Sequence, residues 1–466
     1  MSEENVSLYE DWKKLYPRYQ TGFFRNLRWG LVWLFMLIYM GLPLLRWQRA
    51  GDLPDQAVLI DLPGRKFYLF DLVIWPQEVF LLAILLIVAA VLLFFMTALA
   101  GRVFCGYMCF QTVWTDMFLY VEKVFEGNRK QRIKLDTSPW GVNKLLKKTG
   151  KHLVWLLISV LTGLFFVFYF ADAPTLTREF LDGTAPGPAW VTVLLLTVST
   201  YAMAGFAREQ VCIYMCPYSR FQGAMFDEDT LIIAYHPEVG EPRQSNRRIR
   251  NQQGSEYGLC IDCNSCVTVC PTGIDIRDGQ QYQCITCGAC IDACVEVKER
   301  ANMPIQLIRY TSMREMAGQP TQYMRFRILA YAVIMSILMG GILYYFFTRP
   351  PMELSVLRQR QPLYIAMSDG SIQNNYTVRV LNMTRKVENY QLKLAGLDHA
   401  TVVVAATDEG KEGSGQVLTV GPGEVMPFTV YVRQSPPIAA GPADVRFVLT
   451  SSTGDTHTTS TVFARP

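Results

Sequence analysis

Five stretches of the chain are continuously apolar: Trp29–Leu45, Val79–Leu99, Leu153–Phe170, Trp190–Phe206 and Ile328–Phe347. Each reaches the roughly 17 residues that a helix needs to cross a hydrocarbon core about 30 Å thick. Trp29, Trp47, Trp75, Trp190, Tyr344 and Tyr345 lie near their ends, where aromatic rings favour the membrane interface. The pattern predicts a five-helix transmembrane bundle. Residues 1–28 are polar and carry both signs of charge, unlike a cleavable signal, so the first span is expected to be an uncleaved anchor.

Beyond Phe347 the pattern changes from runs to alternation. Arg349-Pro350-Pro351 reads as a stiff linker. Tyr376–Leu381, Thr401–Ala405, Phe428–Val432 and Val445–Leu449 are short, β-branched and separated by Gly, Pro, Asp and Asn. This predicts an all-β, immunoglobulin-like sandwich over residues 348–466. The segment has no cysteine, so it lacks the disulfide of antibody domains. His399 and His457 are too few for a copper site, which favours an interaction module.

Half of the 466 residues are hydrophobic and only 18% are charged, which excludes a single small soluble domain. Lysine and arginine are unevenly spread. Lys13, Lys14, Arg18, Arg25 and Arg28 precede the first span, and many more lie between Arg102 and Lys151, whereas Arg178 stands alone between the third and fourth spans. The positive-inside rule then puts the N-terminus in the cytoplasm and everything after Phe347 on the far side. Arg46, Arg49, Arg65 and Lys66 pull weakly the other way. The basic run Arg247, Arg248, Arg250 lacks interleaved aromatics and reads as a solvated loop, not a nucleic-acid patch.

Between the fourth and fifth spans, in residues 208–327, cysteines 260, 263, 266 and 270 are followed by Pro271, and cysteines 284, 287, 290 and 294 by Val295. Both quartets are C-x2-C-x2-C-x3-C, the bacterial two-cluster ferredoxin pattern, in a module at about 255–300. Three thiolates on a tight loop hold one cubane, and the fourth reaches the other. The expected ligand sets are Cys260, Cys263, Cys266 and Cys294 for one [4Fe-4S] cluster, and Cys284, Cys287, Cys290 and Cys270 for the second. Zinc sites favour two C-x2-C pairs with a longer spacer, and the reducing cytoplasm disfavours disulfides. Two one-electron clusters make this module a relay.

The first four spans, within residues 29–207, read as two repeated helix pairs. After the second span comes Cys105-Gly-Tyr-Met-Cys109, and after the fourth Cys212-Ile-Tyr-Met-Cys216, with Arg102 and Arg208 just upstream. On a helix, positions i and i+4 share one face, so each pair can present both sulfurs together and the four can converge. Such a group suits a soft metal, Cu(I) above all, a redox dithiol, or a further cluster. The plainer reading is four small hydrophobes at helix ends. Met108 and Met215 are further soft donors, although membrane methionines more often pack. His152 and His236 share no spacing with the thiols and have no assigned role.

Together the double cysteine quartet, the following Leu307-Ile-Arg-Tyr310, the paired C-x3-C motifs and the outer β domain resemble the cytochrome c oxidase accessory protein family (CcoG, FixG or RdxA) over almost the whole chain. The resemblance implies a multi-pass protein of the bacterial inner membrane, with its ferredoxin module cytoplasmic and its β domain periplasmic. It implies a cupric reductase that converts Cu(II) to Cu(I) for assembly of a cbb-type oxidase, with Cys105, Cys109, Cys212 and Cys216 as the catalytic copper site. The implied partners are oxidase assembly factors or a copper transporter or chaperone. Two alternatives are a relay subunit exchanging electrons with quinone and a partner oxidoreductase, and a copper-binding scaffold without turnover. No dinucleotide-binding glycine fingerprint or flavin motif marks the electron donor.

Overall fold

The computed structural model of the chain describes residues 14–49, 53–244, 257–303, 307–384, 386–405, 417–436 and 441–466. Lys13 and the basic run Arg247, Arg248, Arg250 lie outside them. The chain forms two compact units. One comprises Met1–Leu45, Val58–Phe67 and Ile74–Gly341, and the other Arg46–Ala57, Tyr68–Val73 and Ile342–Pro466.

Five helices are long and apolar enough to span a membrane: Phe23–Leu44, Pro76–Ala100, Val142–Val167, Gly187–Ala207 and Phe326–Thr348. The third starts eleven residues before its apolar run, because hydropathy does not register a helix whose charged first turns are paired. Lys144 donates to the backbone carbonyls of Asp136 and Ser138, Lys148 pairs with Asp136 and Glu126, and Lys151 pairs with Glu126. The first span likewise begins at Phe23, through Arg25 and Arg28, and both arginines reach Asp116. Its N-terminus has no cap of its own. Asp292 of the ferredoxin module accepts hydrogen bonds from the backbone N–H of Phe24 at 3.2 Å and Arg25 at 2.8 Å. A carboxylate there satisfies helix-end donors and suits the positive end of the helix dipole. The third and fourth spans approach closely at Gly163, where a Cβ would lie 2.8 Å from the carbonyl oxygen of Val193.

Two connections hold more helix than the apolar runs foretell. Phe110–Glu126 and Arg129–Thr137 follow the second span, and Pro217–Met225 follows the fourth. The ferredoxin module contributes Ser265–Val269 and Ala289–Arg300, and it is flanked by an antiparallel strand pair, Ile232–Tyr235 with Ile308–Thr311. Ile233, Ile276, Ile291, Leu307 and Ile308 form its apolar core.

In the second unit two sheets pack face to face. One has the order Ala400–Val404, Val425–Gln434, Ile372–Asn382, Met352–Arg358, and the other Val417–Val420, Glu388–Ala395, Ala443–Thr450, Thr456–Phe463. Three of the four predicted strands lie within these and the fourth, Thr401–Ala405, runs one residue past Ala400–Val404, and alternate residues such as Val378, Val380, Val430, Val432, Val445 and Phe447 fill the space between the sheets. Met352–Arg358, Glu388–Ala395, Val417–Val420 and Thr456–Phe463 escaped the sequence reading; half of the last is threonine, and its pairing with Ala443–Thr450 makes it an edge strand. His399 occupies a left-handed position with φ of 54°, and His457 lies on that edge strand.

Candidate iron-sulfur and thiol centre

The two ferredoxin quartets adopt matching loops. In each, the second cysteine is flanked by left-handed residues: Asp262 and Asn264 around Cys263, and Thr286 and Gly288 around Cys287, with φ between 48° and 76°. Such a conformation bends the chain sharply, and non-glycine residues rarely adopt it. What holds each loop differs. Arg277 clamps the first from inside the module, bonding Asp262 and Asn264 at 2.6 Å and Asp275 at 2.5 Å. Tyrosines hold the second: Tyr310 donates to the Thr286 carbonyl at 2.5 Å and Tyr107 to the Cys287 carbonyl at 3.1 Å.

All twelve cysteines are free thiols, and the eight of the module border two cavities. One, of about 30 Å³, is lined by Cys260, Cys263, Cys266 and Cys294. The other, of about 20 Å³, is lined by Cys270, Cys284, Cys287 and Cys290, with Cys266 also on its wall. Burial pushes Cys266 and Cys284 up to about 12 and Cys294 up to about 11, and it carries Cys290 well above the ordinary thiol value. Thiols in such surroundings ionise readily only against bound metal, and four soft donors around one enclosed space fit an iron-sulfur cubane.

The C-x-Y-M-C motifs are brought together, but not as helical i, i+4 pairs. Cys105 lies in the short helix Val103–Tyr107, and Cys109 is the extended residue that caps Phe110–Glu126. Cys212 lies in the π-helical turn Val211–Met215, and Cys216 is the extended cap of Pro217–Met225. The chain breaks at each second cysteine, which becomes the start of a new helix. Convergence across the motifs is evident electrostatically. Burial pushes Cys212 up to about 12, Cys109 and Cys105 add to the rise, and Arg102 opposes it. Cys105 is likewise raised by burial, opposed by Arg102 and reinforced by Cys109 and Cys216. Among the described residues no three His, Cys, Asp or Glu side chains are grouped to hold a single metal ion. Met108 and Met215 are largely exposed, at 48% and 58%.

The two upstream arginines have separate tasks. Arg102 is buried beside the thiols, donating from Nε to Gln222 Oε1 at 3.1 Å and to the Tyr282 carbonyl. Arg208 turns towards Glu122 at 2.5 Å. Gln222 escaped the sequence reading. Fully buried, its Oε1 also accepts from Cys105 Sγ at 3.2 Å, and its amide donates to Thr97 Oγ1 at 3.3 Å. A lone glutamine on a short helix gives no sequence signal.

The first thiol motif touches the second ferredoxin loop. A Cβ on Gly106 would lie 2.6 Å from the Ile285 carbonyl oxygen and 3.1 Å from Cys287 Cα. Cys105, Ile285 and Cys287 form one buried cluster. Of the unassigned histidines, His236 Nε2 accepts from Arg309 Nε at 3.0 Å, and His152 Nδ1 is 2.9 Å from the Tyr201 hydroxyl.

Comparison with known proteins agrees with this architecture. Residues 207–313 match a 4Fe-4S dicluster domain, residues 82–132 a 4Fe-4S binding domain, and residues 342–466 the Ig-like fold at the C-terminal of FixG. The chain is 40% identical over 459 residues to nitrogen fixation protein FixG of Rhizobium meliloti, covering 91% of this chain and 87% of that protein. It is 45% identical over 398 residues to protein RdxA of Cereibacter sphaeroides, covering 84% of each. A crystal structure of a FixG-related protein from Vibrio parahaemolyticus is 26% identical, covering 25% of this chain and 96% of that one, with a TM-score of 0.21.

Proposed function

The chain belongs to the FixG and RdxA family of membrane iron-sulfur proteins, and on that premise we propose that it is a cupric reductase serving assembly of a cbb-type oxidase. The observation that carries the reading is the contact between the first thiol motif and the second cysteine quartet, through Gly106 and Tyr107. Electrons available at that quartet are then adjacent to a group of soft thiols. The ligand sets are Cys260, Cys263, Cys266 and Cys294, and Cys284, Cys287, Cys290 and Cys270; each cluster supplies one electron when bound.

Cys105, Cys109, Cys212 and Cys216 are the copper site in this proposal. Two thiolates suffice for Cu(I), so a pair of the four can hold one ion. Thiolates favour Cu(I) over Cu(II), which raises the potential of the couple and helps drive reduction. Arg102 offsets part of the negative charge that ionised thiols bring into a buried place. The charge bias of the loops supports placing the ferredoxin module in the cytoplasm of a bacterium, at the inner membrane, with the β domain in the periplasm as a surface for assembly factors or a copper chaperone.

A second reading has its own support. The segment matched by the 4Fe-4S binding domain, residues 82–132, contains only Cys105 and Cys109 as cysteines, and Cys212 and Cys216 would complete a cubane set. Replacing all four by serine separates the two. The copper reading expects about eight irons per chain in both proteins, with Cu(I) formation lost only in the variant. About twelve irons in the wild type, falling to eight in the variant, would assign the thiols to a third cluster. Unchanged copper reduction would remove them from the copper site.

A further inference from the structure

We propose that the cavity between Trp155 and the turn at Gly205–Glu209 binds a membrane quinol, and that electrons enter the protein there. The inference rests on the redox reading above and supplies the donor that no sequence motif marks. The cavity, of about 230 Å³, is lined by the N-terminal part of the third span and the end of the fourth, and Leu15 on its wall lies against Gly273 of the ferredoxin module.

Its apolar wall is aromatic. The Phe206 ring is parallel to that of His152, with centroids 6.1 Å apart and planes at 14°. Trp155 meets His152 edge-on at 5.1 Å. Behind it Phe118 stacks at 5.0 Å, and its carbonyl takes the Trp155 Nε1–H at 3.1 Å, which fixes the indole. Gly205 makes the room: a Cβ there would come 3.0 Å from the Trp155 ring. Phe206 is 56% exposed at the end of a span, so this side opens towards lipid.

The polar wall argues against an anionic headgroup. Its cations already face carboxylates, Arg208 with buried Glu122 at 2.5 Å, Lys151 with buried Glu126 at 2.9 Å, and Lys14 and Lys148 with half-buried Asp136 at 2.6 and 2.5 Å. A neutral ring with polar edges and an apolar tail suits this mixture better than a phosphate does.

The chemistry balances with groups at hand. Quinol oxidation breaks two O–H bonds and leaves two C=O bonds, two protons and two electrons. With His152 Nδ1–H donating to the Tyr201 hydroxyl, Nε2 is open to take one proton. The carboxylate of Glu209, on the cavity wall, takes the other. The two electrons would go singly to the two oxidised [4Fe-4S] centres that the cysteine quartets would hold. Arg208 and Glu209 stand four and three residues before Cys212 in the chain. Gln111, on the helix begun by Cys109, donates to the Met203 and Arg208 carbonyls at 3.0 and 3.2 Å, tying the cavity wall to the first thiol motif.

The test uses the full-length, anaerobically purified and oxidised protein. Decylubiquinol should bleach the iron-sulfur absorbance of the wild type, and decylubiquinone should quench its tryptophan fluorescence at saturation. His152→Gln is expected to slow quinol-driven bleaching by about a hundredfold, and Gly205→Ala to weaken decylubiquinone binding by about tenfold. Iron content, dithionite-driven reduction and copper reduction by the pre-reduced protein should be unchanged, so failure here is separate from failure of the copper reading. Wild-type clusters that stay oxidised with decylubiquinol, equal rates in His152→Gln, or a phospholipid extracted from the wild type and lost from Gly205→Ala without quinone binding would each overturn the proposal.

Discussion

The two copies of the five-letter thiol motif have diverged where the ferredoxin module meets them. In the first, Gly106 lets the chain approach the Ile285 carbonyl, and Tyr107, only 5% exposed, reaches the Cys287 carbonyl. In the second, Ile213 replaces the glycine, Tyr214 is 48% exposed, and the turn is π-helical. A Cβ where Gly106 stands would collide with backbone, which cannot step aside. The first copy therefore docks the electron relay, while the second completes the thiol group and borders the cavity through Arg208. Duplication supplied two thiol pairs, and one missing side chain determined which of them faces the relay.

The largest effect should come from making the first copy resemble the second. Gly106→Ile is expected to destabilise the packed state by about 3 kcal/mol or more, as overpacking against backbone does. Thermal melts of the full chain in detergent would read this, and Ile213→Gly should shift the melt much less. Equal shifts would show that the copies are interchangeable.

Next in size is the pair of arginines. Arg102→Met removes charged hydrogen bonds to Gln222 and Tyr282, costing about 2–3 kcal/mol, and should also slow copper reduction. Arg208→Met should lower stability with little effect on copper reduction by the pre-reduced protein, because its partner is Glu122 and Glu122 keeps Arg132 at 2.9 Å. A melt together with a Cu(I) chelator assay on each variant distinguishes the two roles.

Smaller still is the tyrosine pair. Tyr107→Phe loses one hydrogen bond to a buried carbonyl, about 1 kcal/mol. Tyr214→Phe is expected to stay within about 0.5 kcal/mol of wild type. A double-mutant comparison with Tyr310→Phe would sharpen the first value, since the Tyr107 and Tyr310 hydroxyls are 3.3 Å apart.

Acid should weaken the second copy's surroundings. Burial disfavours the Glu122 carboxylate, but Arg208, Lys151 and Arg132 outweigh it and hold its pKa below the usual 4.5. Its contribution is therefore complete above pH 4.5 and is lost as the pH falls through the lower folded value. Glu122→Gln should flatten the stability curve in that acid range and leave the neutral limb's slope unchanged.

Much of this was legible in the chain. Apolar runs gave five spans because a bilayer leaves little choice of length, and the cysteine quartets announced an iron-sulfur module because few other groups need that spacing. Four strands were evident from their β-branched runs; Met352–Arg358, Glu388–Ala395, Val417–Val420 and Thr456–Phe463, which carry more polar or charged residues or are short, were not. The quartets' partners were less visible. Asp292 capping the first span, Gln222 between Arg102 and Cys105, and Gly106 against Ile285 depend on contacts more than a hundred residues apart. The expectation of i, i+4 thiols failed because a periodicity argument assumes that the helix continues, whereas here each second cysteine caps the next one.

In the proposed function, copper meets the electrons of the relay at the four thiols. Anaerobic stopped-flow on the dithionite-reduced, full-length protein tests it most directly, following iron-sulfur absorbance as Cu(II) is added and Cu(I) is trapped by a chelator. The account predicts cluster reoxidation matched by Cu(I), and loss of both when Cys105, Cys109, Cys212 and Cys216 are serine. Clusters that stay reduced with Cu(II) in the wild type, or a variant that reacts equally fast, would contradict it.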